Sequence, residues 1–125
     1  MTTSSLVSVV DDDESVRESL PDMLRQFGFT AAAFPSAEAF LASDEIGRTD
    51  CLILDVKMPG MSGPDLQREL TTRGQEIPIV FITASGDKAI RADLLSEGAV
   101  ECLFKPFSEA ALLDALRAAL RMRLR

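Results

Sequence analysis

Leu6-Val-Ser-Val-Val-Asp-Asp-Asp13 sets a short, β-branched apolar run directly before three aspartates. The run is too short for a buried helix, and its charged end marks where the chain leaves the core. It reads as a strand buried on both faces, as in a parallel sheet. Working outward, Cys51–Leu54, Ile77–Ile82 and Val100–Phe104 have the same texture. Thr30–Phe34 is alanine-rich and reads as an edge strand. Helical spacing fills the gaps. Val16, Leu20, Leu24 and Phe27 share a face, with Gly28 as the stop. Ala37, Phe40 and Leu41 follow Ser36, a residue suited to an N-cap. Leu66 and Leu70 follow Ser62, with Asp65 at N3 of a capping box and Gly74 closing. Ile90 and Leu94 are closed by Gly98, and Leu112, Leu113, Leu116 and Leu120 are opened by Ser108. The order is βα repeated five times, which predicts an α/β fold, a doubly wound five-stranded parallel sheet with right-handed crossovers.

Composition bounds the rest. The chain has 125 residues and 46% hydrophobic residues, enough for one domain with one core, taken as residues 1–125 with its body at about 5–121. No run is long and apolar enough for a membrane span, and Met1–Ser5 lacks the basic start and apolar run of a secretion signal. A cytoplasmic protein is expected. The net charge of −7 argues against direct nucleic-acid binding by this domain. The basic end, Arg121 to Arg125, suits the C-terminus of a helix or the start of a linker. Cys51 and Cys102 each sit in an apolar run and read as buried reduced thiols.

In a doubly wound sheet the functional crevice lies beyond the carboxyl ends of the strands. Those ends deliver Asp11 and Asp12, then Asp55, then Thr83 with Ala84 and Ser85, then Lys105 followed by Pro106. Crowded carboxylates raise one another's pKa unless a cation compensates. A hard ion, Mg²⁺ (or Mn²⁺), prefers such oxygen ligands. The set suits phosphoryl transfer. Asp55, alone at a central strand end, is the candidate nucleophile, and Asp11 and Asp12 are left for the metal. Lys105 supplies a second positive charge, and Thr83 a hydroxyl for a phosphoryl oxygen. Asp13 and Glu14 read as charges at the start of the next helix. Met58-Pro-Gly-Met-Ser-Gly63 reads as a turn whose glycines permit positive φ.

Val9-Val-Asp-Asp12, Leu54-Asp-Val-Lys-Met-Pro-Gly60, Ile82-Thr-Ala84 and Phe104-Lys-Pro-Phe107 together resemble the receiver domain of two-component response regulators. The texture is closest to the FixJ-like subgroup. The resemblance spans essentially the whole chain, and it implies a flavodoxin-like strand order, 2-1-3-4-5. It implies Asp55 as phosphoacceptor, charged by a histidine kinase or a histidine phosphotransfer protein. Asp12 would bind Mg²⁺ directly, Asp11 through water, and the Lys57 backbone carbonyl would be a further ligand beside Asp55. Thr83 would turn toward the phosphoryl group, Lys105 would pair with it, and the Lys105–Pro106 bond would be cis. Lys57 and Ser85 would tune the lifetime of the phosphoryl group. The output would be transcriptional, through a phosphorylation-dependent homodimer on the face of the fourth helix, Asp87 to Glu97, and the fifth strand. Such a chain is a signalling switch and not a turnover enzyme. One position departs from the resemblance: Cys102 stands where the family carries Tyr, Phe or His, three residues before the lysine, so the usual threonine–aromatic coupling is in question.

Two other classes compete. A small phosphatase would use an Asp-x-Asp pair, Asp11 and Asp13, but Glu14 follows where a small or β-branched residue belongs, and no cap insertion closes the site. A flavodoxin-like cofactor binder needs a hydroxyl- or glycine-rich phosphate loop after the first strand. The acidic run there would repel a phosphate unless a metal intervened.

Overall fold

A computed structural model describes residues 5–84 and 88–123. Its elements alternate: β1 Leu6–Val10, α1 Glu14–Gln26, β2 Thr30–Phe34, α2 Ala37–Leu41, β3 Cys51–Asp55, α3 Gly63–Thr72, β4 Ile79–Thr83, α4 Lys88–Ser96, β5 Glu101–Phe104 and α5 Glu109–Arg123. The strands form one sheet in the order β2-β1-β3-β4-β5, every neighbouring pair parallel. Ser85 and Asp87 lie outside the described residues, as do the last two residues of the basic end, Leu124 and Arg125; Arg121 lies within α5.

The period of two along each strand divides the core into two layers. Val7 and Val9, Cys51 and Ile53, and Val80 and Ile82 pack with Leu20 and Leu24 of α1 and Leu112 and Leu116 of α5. Val10, Leu52, Leu54, Ile79 and Phe81 face the other way, with Phe40 of α2, Leu66 and Leu70 of α3 and Leu94 of α4. The two cysteines fall in different layers, Cys51 in the first and Cys102 in the second, and both are free and buried. Burial pushes the Cys51 thiol up to about 12, and it raises that of Cys102 as well. Inert thiols follow from that. Ser8, the polar residue inside the first run, is fully buried, and its hydroxyl lies 2.7 Å from that of Thr49.

Two local features lay beyond the hydrophobic pattern. β4 starts at Ile79 rather than Ile77, because Pro78 has no N–H to give the ladder; its carbonyl still accepts from Leu52 N–H at 2.9 Å. α1 runs through Pro21 in its interior, so the Arg17 carbonyl lacks its i+4 donor, yet the helix continues to Gln26 with Leu20, Pro21 and Leu24 buried. The helix starts follow the sequence reading: Ser36 and Ser62 are N-caps, Ser62 in a full capping box with Asp65, and the Ser108 hydroxyl accepts from Ala111 N–H. Gly28, Gly74 and Gly98 close their helices with positive φ.

Candidate functional site

The parallel ladder delivers the polar residues to one rim. Backbone hydrogen bonds continue past the strand ends: Asp11 N–H donates to Phe34 O at 3.2 Å, Val56 N–H to Ile82 O at 3.1 Å and Lys105 N–H to Thr83 O at 2.8 Å. The loops therefore leave the sheet still bonded to the neighbouring strands. Asp55 and Thr83 are the last residues of β3 and β4, and Lys105 follows β5. The Lys105–Pro106 bond is cis, as the resemblance implied.

Asp11, Asp12 and Asp55 each bring a carboxylate oxygen to within 4.8 Å of the others. Their surroundings differ. Asp11 is fully buried, and both its oxygens already accept hydrogen bonds: Oδ2 from Lys105 Nζ at 3.0 Å, Oδ1 from Asp13 N–H at 2.9 Å. Its carbonyl accepts from Arg17 Nη1 at 3.1 Å. Asp12 is exposed. Asp55 is 7% exposed; burial first, and then the Asp11 charge, push its carboxyl up to about 7, with Lys105 pulling the other way. Thr83 is buried beside them at the end of β4.

Three convergent hard oxygen donors, one of them raised in pKa by burial and then by Asp11, form a set a divalent cation satisfies. A bound cation would offset the burial penalty and the Asp11 repulsion that together raise Asp55, and so favour its ionised form. The fold thus brings together Asp11, Asp12, Asp55, Thr83 and Lys105. Lys57 follows two residues after Asp55 at the start of the β3–α3 loop.

Asp13 is not part of the cluster. It is the N-cap of α1, its Oδ1 accepting from the N–H and hydroxyl of Ser15, and those bonds lower its pKa. That removes the geometric basis of an Asp11/Asp13 phosphatase pair. An acidic rim in place of a phosphate-cradling loop likewise disfavours a flavodoxin-like cofactor site.

Sequence reasoning missed three contributors. It paired Lys105 only with an incoming phosphoryl group, whereas the ammonium also neutralises Asp11. It gave Arg17 no role, though the guanidinium holds the Asp11 carbonyl; the spacing from Asp11 to Arg17, one turn into α1, was the available signal. It read Gly63 as a positive-φ turn residue. Of the two glycines in that turn only Gly60 has positive φ, 75°. Gly63 is required for closeness instead: a Cβ there would collide with the Asp55 carbonyl oxygen and lie 3.1 Å from Val56 Cα. The N-terminus of α3 therefore sits directly against the backbone of Asp55.

Residues 7–117 match the family model of the response regulator receiver domain. The response regulator protein TodT of Pseudomonas putida (strain F1) is 43% identical over 119 residues, covering 95% of this chain and 52% of TodT. The transcriptional regulatory protein FixJ of Azorhizobium caulinodans is 39% identical over 120 residues, covering 96% of this chain and 57% of FixJ. The crystal structure of FixJ-N superposes with a TM-score of 0.85 at 36% identity, covering 96% of each chain. The chain thus spans about half the length of the curated relatives it matches.

Proposed function

This chain belongs to the response regulator receiver domain family, and from that membership we propose a phosphoacceptor site centred on Asp55 and dependent on a divalent cation. The observation that carries the proposal is the convergence of the Asp11, Asp12 and Asp55 carboxylates within 4.8 Å on the rim where Lys105 pairs with Asp11.

In this reading an Asp55 oxygen attacks the phosphorus of a phosphohistidine on a sensor kinase or histidine phosphotransfer protein. The P–N bond breaks and the imidazole leaves. Mg²⁺ (or Mn²⁺), when bound, supplies positive charge for the phosphoryl oxygens. Asp12, which is exposed, and Asp55 would be its direct carboxylate ligands. Asp11, whose oxygens are already engaged, would act through water, and the Lys57 carbonyl would complete the protein's share. Lys105 exchanges part of its bond to Asp11 for a phosphoryl oxygen, and the Thr83 hydroxyl donates to another. The Asp55 aspartyl phosphate then biases a two-state surface around α4 and β5 toward a homodimer that controls an output, transcription in the FixJ-like case. The protein is a cytoplasmic switch that takes part in its own phosphorylation and dephosphorylation, not a turnover enzyme. Among the described residues no helix is long and apolar enough to cross a membrane.

The test is incubation with acetyl phosphate and Mg²⁺, followed by detection of acid-stable, base-labile label. Wild type is expected to label and Asp55→Asn to lose the label. Undiminished labelling of Asp55→Asn would overturn the assignment.

A further inference from the structure

The loop from Val56 to Ser62 carries the backbone onward from Asp55, and a side chain of α2 bonds its far end. On the inner side Met58 is 9% exposed and belongs to the same buried cluster as Ala37 and Phe40 of α2. On the outer side Glu38 of α2 reaches across 23 positions of sequence, its Oε2 accepting the Met61 N–H at 3.1 Å. Gly60 leaves the room for this: a Cβ there would stand 2.8 Å from Glu38 Oε2. Glu38 itself is set by the start of α2, where Ser36 caps the helix by accepting from Ala39 N–H at 3.0 Å.

The end of the loop is otherwise satisfied locally. Ser62 N–H donates to Asp65 Oδ2 at 3.2 Å and Gly63 N–H to Val56 O at 3.0 Å. Glu38 alone of these three acceptors comes from a different part of the fold. Between its anchor at Met61 and the strand end at Asp55 lie five residues, Val56 to Gly60, and Lys57 is among them.

We propose that Glu38 is a positioning residue for the phosphoacceptor site: by anchoring Met61 it fixes the path of the β3–α3 loop and with it the direction of the Lys57 carbonyl. The inference rests on the reading of Asp11, Asp12, Asp55 and Lys57 as metal ligands. A backbone carbonyl is aimed only by the peptide planes around it, so a loop freed at one end no longer presents that oxygen ready to bind. Partners that orient ligands typically carry about 10–100-fold in metal affinity. Glu38 acts one step further out, and roughly a fivefold loss is expected.

The experiment measures the affinity of the full chain for Mn²⁺ alone by titration calorimetry, for wild type, Glu38→Ala, Glu38→Gln and Asp12→Asn. Glu38→Ala should bind about fivefold more weakly, with entry into the labelling reaction slowed in parallel at sub-saturating metal. Glu38→Gln keeps an acceptor oxygen and should return close to wild type. Equal weakening in both Glu38 variants would mean that the carboxylate acts through its charge, and would overturn positioning. Unchanged affinity in Glu38→Ala, with Asp12→Asn impaired, overturns this inference and leaves the site reading intact. No Mn²⁺ binding by wild type overturns the site reading, and this inference with it.

Discussion

Asp55 is a carboxyl group placed where a carboxylate is costly. Its pKa is pushed up from 3.8 to about 7, by burial first and then by Asp11. The unfolded chain loses this proton near the ordinary value, while the folded state keeps it until about 7. Between those limits the folded state binds more protons, so the contribution of Asp55 to stability falls as pH rises through the window and is flat above it. Asp55→Asn has no such proton to lose. In EDTA it should match wild type near pH 4 and exceed it at pH 8 by on the order of 4 kcal/mol, read from urea unfolding at the two pH values. A difference that does not change with pH would show that Asp55 carries no such penalty. The same residue scale explains what was hidden in the sequence. The triplet Asp11-Asp-Asp13 looks uniform, yet one carboxylate is buried against Lys105, one is exposed and one caps α1. Only their directions off the end of β1 separate them.

At the scale of elements, α3 starts directly against the site. Its first residue, Gly63, packs on the Asp55 carbonyl, and the Ser62–Asp65 capping box settles its orphan N–H groups. Gly63→Ala should push the helix start away from β3. It should cost about 2–3 kcal/mol in thermal or urea unfolding and reduce labelling of Asp55 even where the protein is folded. A variant as stable and as readily labelled as wild type would refute the close approach. The helices were legible because their apolar spacing, serine caps and closing glycines all agree. The limits of β4 were less so, since Ile77 continues the apolar run although Pro78 breaks the ladder.

For the whole molecule, the question is how a change at the rim reaches a partner. α4 and β5 are joined by an ion pair, Arg91 Nη2 to Glu101 Oε1 at 2.6 Å, and the same oxygen accepts the Cys102 N–H at 2.9 Å. Cys102, 3% exposed, packs in the layer that includes Leu94 of α4. A small buried thiol at this position offers no large ring to swing between inward and outward positions. Moving a two-state population from 1:99 to 99:1 takes about 5.5 kcal/mol of differential interaction. A few charge-assisted hydrogen bonds to a phosphoryl group approach that. With Mg²⁺ and beryllium fluoride as a phosphoryl mimic, the sedimenting mass is expected to rise toward that of a dimer, and Arg91→Ala should alter that response. A mass unchanged by the mimic would remove the α4–β5 dimer from the proposal.

The amino-acid sequence by itself determined the layers. Apolar runs buried on both faces, alternating with amphipathic helices, admit few packings other than a doubly wound sheet, and every strand then ends on one rim. The polar residues at those ends could be named from that alone, because strand polarity decides where a residue following a strand must lie. Only the tertiary structure decided how the members of the rim divide the work. The Lys105–Asp11 pair, the Arg17 hold on the Asp11 carbonyl, the contact of Gly63 with Asp55 and the reach of Glu38 to Met61 all join separate stretches of the chain. Such contacts leave no periodic trace in sequence, since each depends on side-chain direction and on backbone spacing between elements rather than on the spacing within one.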